Sequence, residues 1–187
     1  MIPAFLATRR GANLAGSAVC LAMLAYALYS ERVLGFEPCP LCMFQRVGVA
    51  ILGAVFLLAA LHDPTGRSGD PRGARVYGVL ILLAAALPAY VAGRHVYIQS
   101  LPAGSVPSCG ASLDYMVDVF PLMTVITKVL TGAGECQKID WALFGLSMPA
   151  WVLVAVIGLG VFGAWANLRA APSLKTPSLK NFTAPKP

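Results

Sequence analysis

Apolar residues in this 187-residue chain come in long unbroken blocks, not in periodic stripes. Four blocks approach the length of about 20 mostly apolar residues that a hydrocarbon core requires. They run from about Leu14 to Tyr29, Met43 to Leu61, Val76 to Ala92 and Pro149 to Leu168. Each is predicted to be a helix, because lipid cannot satisfy free backbone N–H and C=O groups. Pro88 should bend or loosen the third helix, and small residues such as Gly48, Gly53, Gly158 and Gly160 allow close helix approach. The pattern predicts an all-α membrane protein: a single four-transmembrane-helix domain over residues 1–168, then a Pro-, Ser- and Lys-rich tail at 169–187 expected to be disordered.

Composition agrees with the pattern. The chain is 58% hydrophobic and 12% charged, with a mean hydropathy of +0.73, whereas a soluble domain carries roughly 25% charged residues. Placement of the basic residues predicts orientation. Arg9 and Arg10 precede the first block, Arg67, Arg72 and Arg75 connect the second to the third, and Arg169, Lys175, Lys180 and Lys186 follow the fourth. With four spans these all fall on one side, which the positive-inside rule makes cytoplasmic, together with both termini. Two loops, about 30–42 and 94–144, then face outward. The net charge of +6 is therefore a topology signal. Its basic residues are scattered through loops and tail, unlike a nucleic-acid groove. Arg9 and Arg10 with Ala25-Tyr26-Ala27 imitate a signal peptide, but the apolar block is longer than a usual h-region, so an uncleaved helix is expected.

Five cysteines carry the candidate chemistry. Cys20 falls mid-span and reads as a small buried hydrophobe. Cys39, Cys42, Cys109 and Cys136 all fall in the outward loops, where an oxidising compartment lets disulfides form and persist. Cys39-Pro40-Leu41-Cys42 meets the start of the second helix, where unpaired N–H groups and the helix dipole favour a thiolate. Arg46 lies one turn beyond Cys42 on the same face, and snorkelling to the interface would also account for it. Such a pair reads as a thiol–disulfide centre, with a structural disulfide as the alternative. Zinc needs four ligands, often as two close pairs; with Cys109 and Cys136 standing apart, no metal is expected. Those two either staple the long loop or exchange with the first pair. The segment from Asp114 to Leu130, broken at Pro121, is too apolar for a free loop and predicts short amphipathic structure on the membrane surface. His95, at the outer end of the third span, reads either as an interfacial residue or as a proton donor or ligand partner. Trp141, Trp151 and Trp165 suit interfacial belts.

Two stretches point to a family. Glu37-Pro-Cys-Pro-Leu-Cys-Met-Phe-Gln-Arg46 resembles the P-C-x-L-C-x-x-x-R signature of the disulfide bond formation protein B (DsbB) family. Gly134-Glu-Cys-Gln-Lys-Ile-Asp-Trp-Ala-Leu-Phe-Gly-Leu-Ser-Met-Pro-Ala-Trp151 is similar to that family's region around its last cysteine and fourth helix. The resemblance implies a four-helix bundle in the bacterial inner membrane with two periplasmic loops. It implies a thiol oxidoreductase that reoxidises a periplasmic DsbA-type thiol oxidase and passes the electrons to a membrane quinone, ubiquinone or menaquinone. By position, Cys109 would form the mixed disulfide with the partner and Cys136 would be its pair. Cys39 would exchange with the loop cysteines, and Cys42 would face the quinone, with Arg46 and His95 at the quinone site. Gln45 stands where the best-known member has an acidic residue, which puts proton handling there in question. Two rival readings remain at this point: electron flow of the vitamin K epoxide reductase kind, and a non-enzymatic membrane scaffold or metal-binding protein with structural disulfides.

Overall fold

The computed structural model describes residues 8–62, 71–102, 105, 118–131, 134–139 and 141–169. Cys109, the residues at 114–117 and the tail from 170 onward lie outside them. Helices α1 (Arg9–Arg32), α2 (Pro40–His62), α3 (Pro71–Ser100), α4 (Leu122–Thr131) and α5 (Met148–Leu168) follow in order, with a 3-10 turn at Gly134–Gln137 and a two-stranded ribbon, β1 (Ala142–Leu143) and β2 (Leu146–Ser147), before α5. Helices α1, α2, α3 and α5 are long and apolar enough to cross a membrane. Helices α1, α2 and α3 continue beyond their apolar blocks into polar residues such as Arg9, Arg32 and His95.

The helices pack through small residues. The ring of Phe56 on α2 fits between Gly16 of α1 and Gly163 of α5; a Cβ at either glycine would lie 2.7 Å from it. Gly48 opposes Pro88 in the same way, where a Cβ would come within 2.8 Å of the proline Cβ. With Cys20, Val49, Leu52, Ile81, Val156 and their neighbours, Phe56 forms the mid-bundle core. Cys20 is a packing residue there. In lipid such close contacts, not exclusion from water, hold helices together. Toward one end, Asn13 and Asn167 exchange side-chain amide hydrogen bonds at 3.1 and 2.9 Å, and Asn167 also donates to the carbonyl of Gly163. That satisfies two amides buried between α1 and α5.

The other end carries the chemistry. Gly35, at a φ of 73°, turns the chain after α1, and the Phe36 N–H closes on the carbonyl of Ser30. Proline suits the first helical position because it has no N–H to leave unsatisfied; α2 begins at Pro40, which puts Cys39 at the helix cap and Cys42 in the first turn. Pro121 accepts the N–H groups of Thr124 and Val125 as α4 starts, so the expected break falls there. Helix α4 is strongly amphipathic and buries Val125 against Leu41, Val91, Ile98 and Cys136. Phe144 and Gly145, both with positive φ, form the two-residue turn of the ribbon.

Candidate functional site

The cap of α2, the last turns of α3 and the 3-10 turn converge on one cluster. Sγ of Cys39 and Sγ of Cys42 are 3.2 Å apart, both as free thiols. Cys136, fully buried on the 3-10 turn, brings its Sγ within 4.8 Å of Cys39 Sγ and of a ring nitrogen of His95. His95 is itself buried, its Nε2 3.8 Å from Cys39 Sγ and its Nδ1 4.0 Å from Cys42 Sγ. In space Cys136 adjoins the pair from which it stands apart in sequence. Sequence separation hides a contact that α4 and the 3-10 turn create by folding back over α2 and α3.

His95 is buried between two amide side chains. The amide nitrogen of Gln45 lies 3.1 Å from its Nδ1, and that of Gln99, one turn along α3, lies 3.5 Å from its Nε2. Ser147, at the cap of α5, donates its hydroxyl to Oε1 of Gln99 at 2.6 Å. Neither Gln99 nor Ser147 stood out in the sequence. Only the i, i+4 spacing of His95 and Gln99 hinted at the first, and nothing local marked the second.

Arg46 lines the same cavity as Cys42, but it is not an isolated cation. It forms an ion pair with Glu31 at the end of α1 and donates to the carbonyl of Ala27 at 3.0 Å. The short connection between α1 and α2 makes this pairing possible. The thiol of Cys39 has a proton-sharing neighbour in this cluster. A proton shared with Cys136 is the main cause pushing the Cys39 thiol up to about 12, helped by burial and opposed by Cys42. Burial and that shared proton both favour the neutral thiol of Cys39.

A cavity of about 140 Å³ opens beside the cluster. Met23, Leu24, Val49 and Val152, one or two from each of three spans, give it apolar walls. Cys42, Arg46 and His95 supply its polar side. Trp141, whose ring centroid is 6.5 Å from that of Tyr26, also lines it, so this tryptophan does more than mark an interface.

Comparison with known proteins places these features in context. The family profile described as "Disulfide bond formation protein DsbB" matches residues 9–166. Proteins named Disulfide bond formation protein B are similar over most of the chain. The one from Marinobacter nauticus is 47% identical over 151 residues, covering 81% of this chain and 87% of its own length. Those from Acinetobacter baumannii and Xanthomonas euvesicatoria are 45% and 42% identical, covering 82% and 88% of this chain and 87% and 93% of their own lengths.

Proposed function

Because this chain belongs to the disulfide bond formation protein DsbB family, and is thus a multi-pass membrane protein of disulfide formation, we propose that it oxidises a periplasmic DsbA-type dithiol protein and delivers the electrons to a membrane quinone. The observation that carries this reading is the approach of Cys136 to Cys39, which links the long loop to the membrane-side pair. In this reading the cysteine end faces the periplasm and the basic loop and termini face the cytoplasm, as the Lys and Arg distribution favours.

The thiol chemistry is a sequence of exchanges. The partner dithiol attacks a Cys109–Cys136 disulfide through Cys109 and leaves as a disulfide, its electron pair now on the two loop thiols. The Cys136 thiolate then attacks Cys39 of a Cys39–Cys42 disulfide, forming Cys39–Cys136 and releasing Cys42 as the leaving thiolate. Attack by Cys109 on Cys136 restores the loop disulfide and leaves Cys39 and Cys42 reduced. Each step needs an accessible sulfur and a thiolate, and the direction follows the potentials of the couples.

The lining of the cavity supports the reading: its apolar walls suit a flat ring, and a quinone head group would be held beside Arg46 and His95. A quinone bound there supplies an acceptor for two electrons and two protons. Cys42 lines that cavity, and Gln45 and Gln99 hold His95 in place beside it. Glu31 and the Ala27 carbonyl fix the Arg46 guanidinium.

Purified protein mixed with reduced DsbA-type partner and ubiquinone or menaquinone tests the proposal. One quinone consumed per partner disulfide formed is expected, and it should be abolished by Cys39→Ser or Cys42→Ser. An unchanged rate in those variants, or no quinone consumption, would sink it.

A further inference from the structure

The same cluster has a coordination chemistry of its own. Sγ of Cys39, Sγ of Cys136 and a ring nitrogen of His95 all lie within 4.8 Å of one another, with Cys39 Sγ 3.8 Å from Nε2 of His95. Tetrahedral zinc, with Zn–S near 2.3 Å and Zn–N near 2.0–2.1 Å, sets neighbouring ligand atoms about 3.5–3.8 Å apart. Small side-chain adjustments bring the three atoms to that spacing. Cys42 Sγ lies 3.2 Å from Cys39 Sγ but 4.0 Å from the other ring nitrogen, Nδ1 of His95, so the fourth position is left to solvent. The ligands come from α2, α3 and the 3-10 turn, so the site exists only in the folded bundle. An outer partner is also present: Gln45 contacts Nδ1 of His95 at 3.1 Å. With its amide turned to accept from Nδ1–H, it orients the ring so that Nε2 faces an ion, as metal-bound histidines usually require.

We infer that the reduced centre binds one borderline-to-soft divalent cation of the zinc or cadmium class, through Cys39, Cys136 and His95, with a water molecule completing the tetrahedron. Each coordinating thiol gives its proton to solvent and no electrons move. Formation of a Cys39–Cys42 disulfide removes the Cys39 ligand, so the site is complete in the reduced protein and broken in the oxidised one. The inference needs neither the quinone nor the protein partner.

The test uses full-length protein in detergent micelles, reduced and then freed of reductant without oxygen. Zinc is titrated by calorimetry, and cadmium by its thiolate-to-metal ultraviolet absorption. One equivalent should bind with the thiolate band present, and the same protein after oxidation to its disulfide form should lose both. Cys136→Ser and His95→Gln should each weaken binding by at least the roughly 10–100-fold that loss of an outer-shell partner costs. Cys20→Ser, which changes a cysteine of the mid-bundle core, should bind as the unmodified chain. Equal binding by oxidised and reduced protein, or no thiolate band, overturns the inference whether or not the variants fold. So does undiminished affinity in both Cys136→Ser and His95→Gln.

Discussion

The side-chain amide of Gln45 meets Nδ1 of His95 at 3.1 Å with both side chains buried. An amide can turn to donate or to accept, so it serves either tautomer of the imidazole, whereas a carboxylate only accepts. Gln45→Leu leaves the ring nitrogen without this partner and is expected to cost about 1–3 kcal/mol of stability, read from thermal unfolding in detergent. Gln45→Glu adds an ionisable carboxyl beside the cysteines and should introduce a new inflection in the pH–rate profile of thiol oxidation. A profile unchanged by Gln45→Glu would show that this contact has no bearing on proton handling.

Phe56 depends on two glycines for its place. A Cβ at Gly163 would stand 2.7 Å from Cε1 and Cζ of Phe56 and from Cγ2 of Ile81. Overpacking at such a contact costs about 1–3 kcal/mol, so Gly163→Ala should lower the melting temperature. Phe56→Leu in the same chain should recover part of the loss. No loss on Gly163→Ala would mean that the α2–α5 approach is looser than described.

Arg46 is held by Glu31 and by the Ala27 carbonyl at the rim of the cavity. If its guanidinium also donates to a quinone oxygen, Arg46→Gln removes a charge-assisted hydrogen bond of about 1.5–3 kcal/mol. The quinone KM should then rise about 10- to 100-fold. Glu31→Gln keeps the cation but loosens its anchor, and should raise KM less. An Arg46→Gln variant with normal quinone KM would remove this residue from the binding site.

Cys39 behaves differently from an exposed thiol. Its folded-state pKa is pushed from 9.0 up to about 12, so between those values the folded reduced protein keeps a proton that the unfolded chain has lost. The resulting contribution to stability is complete below pH 9.0 and disappears as pH rises toward about 12. Alkylation of Cys39, followed by peptide mass spectrometry, should be slow at neutral pH and keep accelerating above pH 9.0, where an ordinary thiol levels off. Cys136→Ser removes the main cause and should bring that acceleration to lower pH.

Much of the scaffold was legible in the chain because lipid imposes a length and a composition that appear directly as apolar blocks. Pro121 announced a break for an equally local reason. The contents of the site were less accessible. The pair of cysteines was visible, and so was Arg46 one turn on, but the salt bridge to Glu31 depends on how the loop after α1 turns at Gly35. The position of Cys136 against Cys39 depends on α4 burying Val125, a tertiary contact that spacing cannot reveal. Gln99 and Ser147 belong to the site only because α3 runs on to Ser100, past the end of its apolar block, and meets the cap of α5.

The central claim is that electrons cross between the loops through Cys39 and Cys136. The most direct measurement is acid-quenched disulfide mapping of oxidised Cys109→Ser by mass spectrometry under non-reducing conditions. Without Cys109 to restore the loop disulfide, Cys136 should attack Cys39 of the Cys39–Cys42 disulfide, release Cys42 as a thiol and remain joined to Cys39, at a sulfur separation that small side-chain movement closes. A Cys39 that remains free, or that is found joined only to other cysteines, would contradict the account.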